Sequence, residues 1–506
     1  MESFAFRNII SGFLKTISAV FITMYLTSFL LDTLGKEYFG IISLILNINQ
    51  YIALLLIVFS GTVFKFLSKE YYRENFELMN KYYSTAIFGA FLVGMAIFLA
   101  SYLVVNSGNF PMIGEGQQKE TILFFLISLG GLLLSNISNI FVAPLTILHK
   151  VYLSDISNIV SKILQFILIL SVAFFISDVT MSLYGYSILL SGLSLLIFTY
   201  SFSKESMQIL TISMKYISLG CFIRMIKMGA KVLLNNIGIL LYTSTDILII
   251  GYYMSSLDVA DYTISLQLSL FIAVFGSIFS RLLNPVLSQS IVDESHGNIL
   301  KTINSYTKIF ILYVGIIFTL IVIFSNSILD LWLGEDYIYL AHTVILLAIY
   351  QLLHQSTVLF SIFFLLKNKL TIPLIVTIFF GLLNVAVSIF VVKYTDYGLH
   401  GIIYVTILTV SLKTVLFNSA YATKLLCAPL GRTLTTIFAY LFFVCVFCYT
   451  GNLVISYIGT QSIVILLLQI LSILCLYLFI AYKLTLSYDE KKKVLKITRL
   501  NGLLNE

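Results

Sequence analysis

From Ile9 to Tyr482 the chain returns again and again to runs of predominantly apolar residues separated by short polar segments. Each run has the length of about 20 residues that a helix needs to cross the hydrocarbon core of a bilayer. Fourteen stand out, at 9–31, 38–60, 83–105, 121–144, 156–176, 181–202, 228–252, 260–283, 306–328, 341–364, 371–392, 399–421, 433–450 and 461–482. They are continuously apolar and lack the two-residue alternation of a membrane barrel strand, so each must satisfy its backbone amides as a helix. Composition agrees: of 506 residues 59% are hydrophobic and 10% charged, with a mean hydropathy of +1.01, values that no water-exposed surface sustains. The sequence predicts an all-α polytopic membrane protein with about 14 transmembrane helices. The first run is too long for a signal-peptide core and a second follows at once, so no cleaved leader is expected.

Orientation follows from the basic residues. With both termini cytoplasmic, 24 of the 30 Lys and Arg residues fall in inner segments or at the inner ends of the runs, three (Lys36, Lys119, Lys393) in outer loops and three (Lys15, Lys162, Lys413) deeper within the runs. Cytoplasmic loops carry such an excess, and a missed or invented span would invert every later loop and erase it. The net charge of +7 is therefore a topology signal, and no nucleic-acid partner is expected. The densest basic stretch, "YDEKKKVLKITRL" near the C-terminus, suits an electrostatic anchor on the inner leaflet or a protein contact.

A weak internal repeat organises the runs. "GKEYFGIISLIL" (35–46) and "LDVADYTISLQL" (257–268) each join a first helix to a second across a short outer loop, and Ser43-Leu44 recurs as Ser265-Leu266, 222 residues later. Between the sixth and seventh runs, Ile209, Ile212, Tyr216, Leu219 and Ile223 are spaced as one helical face, with Lys215, Arg224 and Lys227 on others. That pattern predicts a helix lying in the membrane interface. The expected division is an N-lobe at 1–202, an interfacial cytoplasmic linker at 203–227, a C-lobe at 228–424, a helix pair at 425–482 and a basic tail at 483–506, with six helices in each lobe. Repeated halves of this kind build alternating-access carriers.

No enzyme constellation is present. The five histidines (His149, His296, His342, His354, His400) are scattered, no Gly-rich phosphate loop follows a strand, and no Ser or Cys has a base near it. Cys445 and Cys448 form a C-x-x-C inside an apolar run with no further Cys or His nearby, a pattern that favours packing over redox or metal chemistry. No catalytic residue, metal or cofactor is expected.

Polar residues inside the runs carry more information, because each costs free energy there unless it faces a cavity or a partner. Asn8, Ser11, Lys15 and Ser18 share one face of the first run; Lys231, Asn235, Gly238, Tyr242, Thr245 and Asp246 share one of the seventh. The eighth carries a stripe of small or polar residues from Ser265 to Asn284, the second carries Asn47, Asn49 and Gln50, and the tenth Gln351, His354 and Gln355. Such stripes would line a wet cavity; helix packing by small residues is the plainer alternative. Lys15 and Lys162 stand about 9 Å from the inner ends of their runs, a depth from which a lysine stem also snorkels. Lys413 lies deeper, and Arg281 sits at the inner mouth, where a solvated charge is equally natural. Asp246, in "LYTSTDILII" (241–250), is the only acid that falls well inside a run. It reads either as a hydrogen-bonded or ion-paired structural residue or as a site for a proton or cation.

The stretches "LLNNIGILLYTSTDILIIGYYMSSLDVADYTISLQL" (233–268), "LGKEYFGIISLILNINQYIALLLIVFSGTVFKFLSKE" (34–70), "LNPVLSQ" (283–289) and "LWLGEDY" (331–337) resemble the polysaccharide-export branch of the multidrug/oligosaccharidyl-lipid/polysaccharide flippase superfamily. They look most like bacterial O-antigen flippases. The resemblance implies a MATE-like, two-lobed carrier in the bacterial inner membrane that moves an undecaprenyl-pyrophosphate-linked oligosaccharide outward. It further implies a basic substrate site, which Lys15, Lys162, Arg281 and Lys413 would supply with Asn47, Gln50 and Asn235 as polar lining. Asp246 matches the aspartate of the family-like D-x-x-I-x-G pattern and would couple a cation, H+ or Na+. Implied partners are membrane lipids and polysaccharide polymerase or assembly proteins. The chain departs from many O-antigen flippases in showing fourteen spans rather than twelve, as lipid II flippases do. Two alternatives stay open: a multidrug/cation antiporter of the same superfamily, which three intramembrane lysines disfavour, and a non-transporting assembly factor.

Overall fold

The computed structural model describes residues 2–106, 118–175, 180–293, 296–367, 369–458, 463–488 and 490–491. Among these residues all regular structure is helical, and fourteen helices are long and apolar enough to span a membrane. We number them α1 (Ile10–Leu34), α2 (Lys36–Tyr71), α3 (Phe76–Asn106), α4 (Gln118–Ile147), α5 (Val151–Val172), α6 (Met181–Ser206) and α7 (Leu219–Thr243). There follow α8 (Ser256–Arg281), α9 (Ile299–Leu333), α10 (Glu335–Leu366), α11 (Thr371–Tyr394), α12 (Gly398–Leu425), α13 (Leu430–Ile455) and α14 (Val464–Thr485). The basic tail beyond residue 491 lies outside the described residues. The chain divides into two compact units, residues 1–260 and 261–506.

In the first unit, close packing rests on small residues, as it must where lipid supplies no hydrophobic drive between helices. A Cβ on Gly192 would stand 2.3 Å from the Gly131 carbonyl oxygen, and one on Gly131 would stand 2.6 Å from that of Ile188. The backbones of α4 and α6 therefore touch directly. Likewise a Cβ on Gly229 of α7 would stand 2.5 Å from the Val58 carbonyl oxygen of α2.

The turn from α4 to α5 is tighter than the hydropathy pattern suggests. His149 takes a left-handed conformation, φ 58°, and the Lys150 amide donates to the Leu145 carbonyl at 2.7 Å, the long-range bond of a Schellman cap. Consequently α5 begins at Val151 and takes Asp155 into a spanning helix, five residues before the run expected at 156. Asp155 is thus a buried acid within a spanning helix that the hydropathy pattern leaves outside its runs.

The expected interfacial helix at 203–227 does not form. After α6 ends at Ser206, residues 207–218 run without helix except for one turn at Met214–Tyr216, and α7 starts at Leu219. Polar side chains near the start of α3 take over the backbone of this segment. Asn80 donates to the Ile209 carbonyl at 3.2 Å and accepts from the Thr211 amide at 2.8 Å. Ser84 donates to the Thr211 carbonyl at 3.1 Å and accepts from the Ser213 amide at 3.3 Å. Thr85 accepts from the Ser218 amide at 3.1 Å. These bonds compete with the helical ladder that the apolar spacing would otherwise support, and they hold 207–218 as a strap.

In the second unit α9 is the most buried span, and the last two helices are fastened to it. Asn304 donates to the Thr433 hydroxyl at 3.1 Å, and the Tyr477 hydroxyl donates to the Leu312 carbonyl at 3.0 Å. Cys448 is buried, its thiol 3.3 Å from the Thr319 hydroxyl, whereas Cys445 is exposed. Just past α14, Glu490 pairs with Lys308 of α9 at 2.6 Å.

Candidate functional site

Helix α7 stops inside the stretch that holds Asp246. Ser244, at φ −134° and ψ −10°, leaves helical geometry, and a second helix, Thr245–Tyr253, follows at once with Asp246 in its first turn. Breaking a spanning helix releases carbonyls that must find new donors. Here the Leu240 carbonyl accepts from the Tyr51 hydroxyl at 2.9 Å and from the Thr245 hydroxyl at 3.2 Å, and the two hydroxyls are 2.7 Å apart. The Thr243 hydroxyl donates to the Ile239 carbonyl at 3.0 Å. The Thr-Ser-Thr triplet therefore repairs the interruption. Asp246 is buried, 1% exposed, at a helix N-terminus, where the partial positive charge offsets roughly 0.3–1 kcal/mol of an acid's insertion cost.

Lys15, expected as a cation on a polar face, is ion-paired. Its ammonium lies 2.5 Å from Asp155 Oδ1, with the side chains 35% and 5% exposed respectively. Ser11 donates to Asp155 Oδ2 at 2.8 Å. Just ahead of α1, Asn8 donates to the His149 carbonyl at 2.9 Å and accepts from the Tyr152 amide at 2.8 Å. The polar face of α1 is thus docked on the start of α5. Lys162 stands two turns beyond Asp155 on α5, about 10 Å along its axis; it is exposed and donates to the buried Gln165 at 2.9 Å.

The other expected lining residues differ in exposure. Asn47 is buried with its side-chain oxygen unmet by any hydrogen bond, and the neighbouring Asn49 donates to Ser128 at 2.8 Å. Gln50, Asn235 and Arg281 are exposed. Among the described residues no group of three His, Cys, Asp or Glu side chains is placed to hold a metal.

The second unit has its own interruptions. Lys413 lies in a π-helical turn, Leu412–Asn418, within α12, the kind of local defect often found at functional sites. Lys413 is within electrostatic reach of His354 on α10. Nearby, α10 breaks at Ser356-Thr357, and α12 answers: Thr414 donates to the Leu353 carbonyl at 3.4 Å and Asn418 to the Thr357 hydroxyl at 3.3 Å. The sequence reading missed a further polar pair. Asn384 and Ser388, one turn apart on α11, are both fully buried. Asn384 donates to Thr406 at 2.9 Å and Thr409 at 3.1 Å, while Asn384 Oδ1 and Ser388 Oγ have no hydrogen-bond partner. The "N-x-x-x-S" spacing inside an apolar run was the available signal.

Long spans are thus broken at polar points, with ionisable groups held inside or beside them. The chain superposes on the lipid II flippase MurJ in its inward closed conformation with a TM-score of 0.68 at 14% identity, covering 96% of this chain and 99% of that one. It superposes on the inward-facing conformation of a multidrug resistance MATE family transporter with a TM-score of 0.65 at 15% identity, covering 81% and 95%. The fold is shared with these two transport proteins. The family model for polysaccharide biosynthesis proteins matches residues 5–291, more than half of the chain, and the chain belongs to that family. It is also 21% identical over 415 residues to the uncharacterized membrane protein EpsK of Bacillus subtilis (strain 168), spanning 80% of this chain and 81% of EpsK.

Proposed function

We propose that this protein is a flippase that carries an undecaprenyl-pyrophosphate-linked oligosaccharide, an O-antigen or similar surface-polysaccharide repeat unit, across the bacterial cytoplasmic membrane by alternating access. Both termini face the cytoplasm, and the moving parts are the two six-helix lobes at 1–202 and 228–424. The observation that carries this reading is the placement of Lys15, Lys162 and Lys413 within membrane-spanning helices of a polysaccharide-biosynthesis family member. A cation at such a depth is costly unless an anion compensates it, and a diphosphate is such an anion.

Asp155 gives the mechanism its resting state. With no cargo bound, it neutralises Lys15; an arriving diphosphate competes for the same ammonium, and Lys162, two turns farther along α5, supplies a second contact. Outward movement of negative charge is assisted by an inside-negative potential at about 2.3 kcal/mol per elementary charge per 100 mV. Arg281 at the inner end of α8 draws the anion in, and Asn47, Gln50 and Asn235 offer hydrogen bonds to sugar hydroxyls. Resetting uses a coupling cation, H+ or Na+, at Asp246. The unmet oxygens of Asn384 and Ser388 offer a hard cation a second place, with neutral ligands only.

The test is flux of a labelled lipid-linked oligosaccharide in proteoliposomes. Lys15→Ala with Lys162→Ala is expected to abolish it, and Asp246→Asn to slow it in a manner that depends on the ion gradient. Wild-type flux in both variants would remove the proposed site. No flux by the wild-type protein, with retained binding of polysaccharide assembly proteins, would remove the transport reading itself.

A further inference from the structure

The strap covers a cavity that the transport reading does not use. Between the start of α3, the end of α6 and residues 207–218 there is a space of about 350 Å³, within the range of about 300–1,000 Å³ typical of small-ligand sites. Its walls are the rings of Tyr83 and Tyr200, the polar groups of Ser203, Lys204 and Gln208, and the strap residues Leu210 to Ile212. The Lys204 ammonium stands 5.9 Å from the centre of the Tyr200 ring, and the Tyr83 and Ser203 hydroxyls are 3.4 Å apart. One cation and two hydroxyls beside an aromatic surface suit an anion attached to a less polar body.

A second observation says what that body is. The strap exposes a row of large apolar side chains, Ile209, Ile212, Met214 and Ile217, at 39–74% of their surface. In a chain with this many spanning helices, such a row beside a basic helix end faces acyl chains. The cavity also precedes any ligand, because Asn80, Ser84 and Thr85 hold the strap by its backbone.

We propose that the cavity is a binding site for the headgroup of an anionic phospholipid from the leaflet at the basic helix ends. Its phosphate sits against Lys204, and its acyl chains lie along Ile209, Ile212 and Met214. A lipid bound there ties the end of α6 to the segment that leads into α7.

The experiment is native mass spectrometry of the full-length protein in mild detergent, with phosphatidylglycerol, phosphatidylcholine or glycerol 3-phosphate added. The wild type is expected to retain phosphatidylglycerol about tenfold better than phosphatidylcholine, the worth of one charge-assisted phosphate contact. Lys204→Gln and the cavity-filling Leu210→Trp lose this preference; Lys204→Arg keeps it. Lys81→Gln, which removes a nearby exposed charge outside the cavity, also keeps it. An unchanged preference in Lys204→Gln overturns the proposal, as does an equal loss in Lys81→Gln, which would make the effect general surface charge. Displacement of phosphatidylglycerol by equimolar glycerol 3-phosphate overturns it too, since the ligand would then be a soluble phosphate. If Leu210→Trp fails to fold, the Gln and Arg variants at 204 still decide.

Discussion

Asp155 accepts a hydrogen bond from Lys15 through one carboxylate oxygen and from Ser11 through the other, so a cation suited to an anionic cargo is already held by an acid of its own chain. Asp155→Asn should leave the Lys15 ammonium without its counter-charge. The expected loss of stability is about 1–3 kcal/mol, between the values for exposed and buried pairs. Lys15→Met combined with Asp155→Asn should recover most of that stability while flux stays absent. Thermal melts of the two single variants and the double variant measure the coupling. Additive losses would mean that the pair contributes nothing as a pair.

Tyr51→Phe keeps the ring and removes the hydroxyl that reaches the Leu240 carbonyl across the break in α7. The Thr245 hydroxyl remains, so the expected destabilisation is modest, about 0.5–1.5 kcal/mol. Its effect should be local. Hydrogen exchange is expected to rise at residues 243–246 and to stay unchanged in α4 and α6; a uniform rise would place the role of Tyr51 elsewhere.

Acid should loosen the C-terminal end. Burial pushes the Glu490 carboxyl up, but hydrogen bonds from Lys308 and from the Ser487 backbone and side chain outweigh it and hold the group below its ordinary value of 4.5. A carboxyl depressed by folding contributes stability that is fully present above its unfolded value and is lost as pH falls through the folded one. Proteolysis after residue 485 should therefore accelerate below about pH 4.5. Glu490→Gln should give fast, pH-independent cleavage, and a wild type insensitive to acid would contradict this.

Gly192→Val would drive a branched side chain into the Gly131 carbonyl. Overpacking of this kind destabilises by typically 1–3 kcal/mol or more, and backbone on the other side leaves nothing able to yield. The variant should accumulate poorly in membranes, whereas Gly431→Val, where a Cβ meets nothing within 4 Å, should accumulate normally.

The number and rough position of the helices were legible because apolar length alone specifies a span, and Asp246 was legible because an acid in such a run is conspicuous. Asp155 was not. The segment "LSDISN" is polar enough to fall below a hydropathy ruler, and the cap at His149 that starts α5 early uses a non-glycine residue in a left-handed conformation. The strap was misread as a helix for a different reason. Its own spacing favours a helix, and the side chains that override it, Asn80, Ser84 and Thr85, lie more than 100 residues away in sequence. The π-helical turn around Lys413 has no local marker, since it answers a break in α10 that belongs to another stretch of chain.

Where α4 and α6 meet at Gly131 and Gly192, carbonyl oxygen rather than side chain forms the seam, and nothing there can change rotamer to let one helix slip past the other. Whatever rearrangement the protein undergoes, these two helices must travel as one stiff plank. Spin labels bridging them should keep a constant separation in every conformational state.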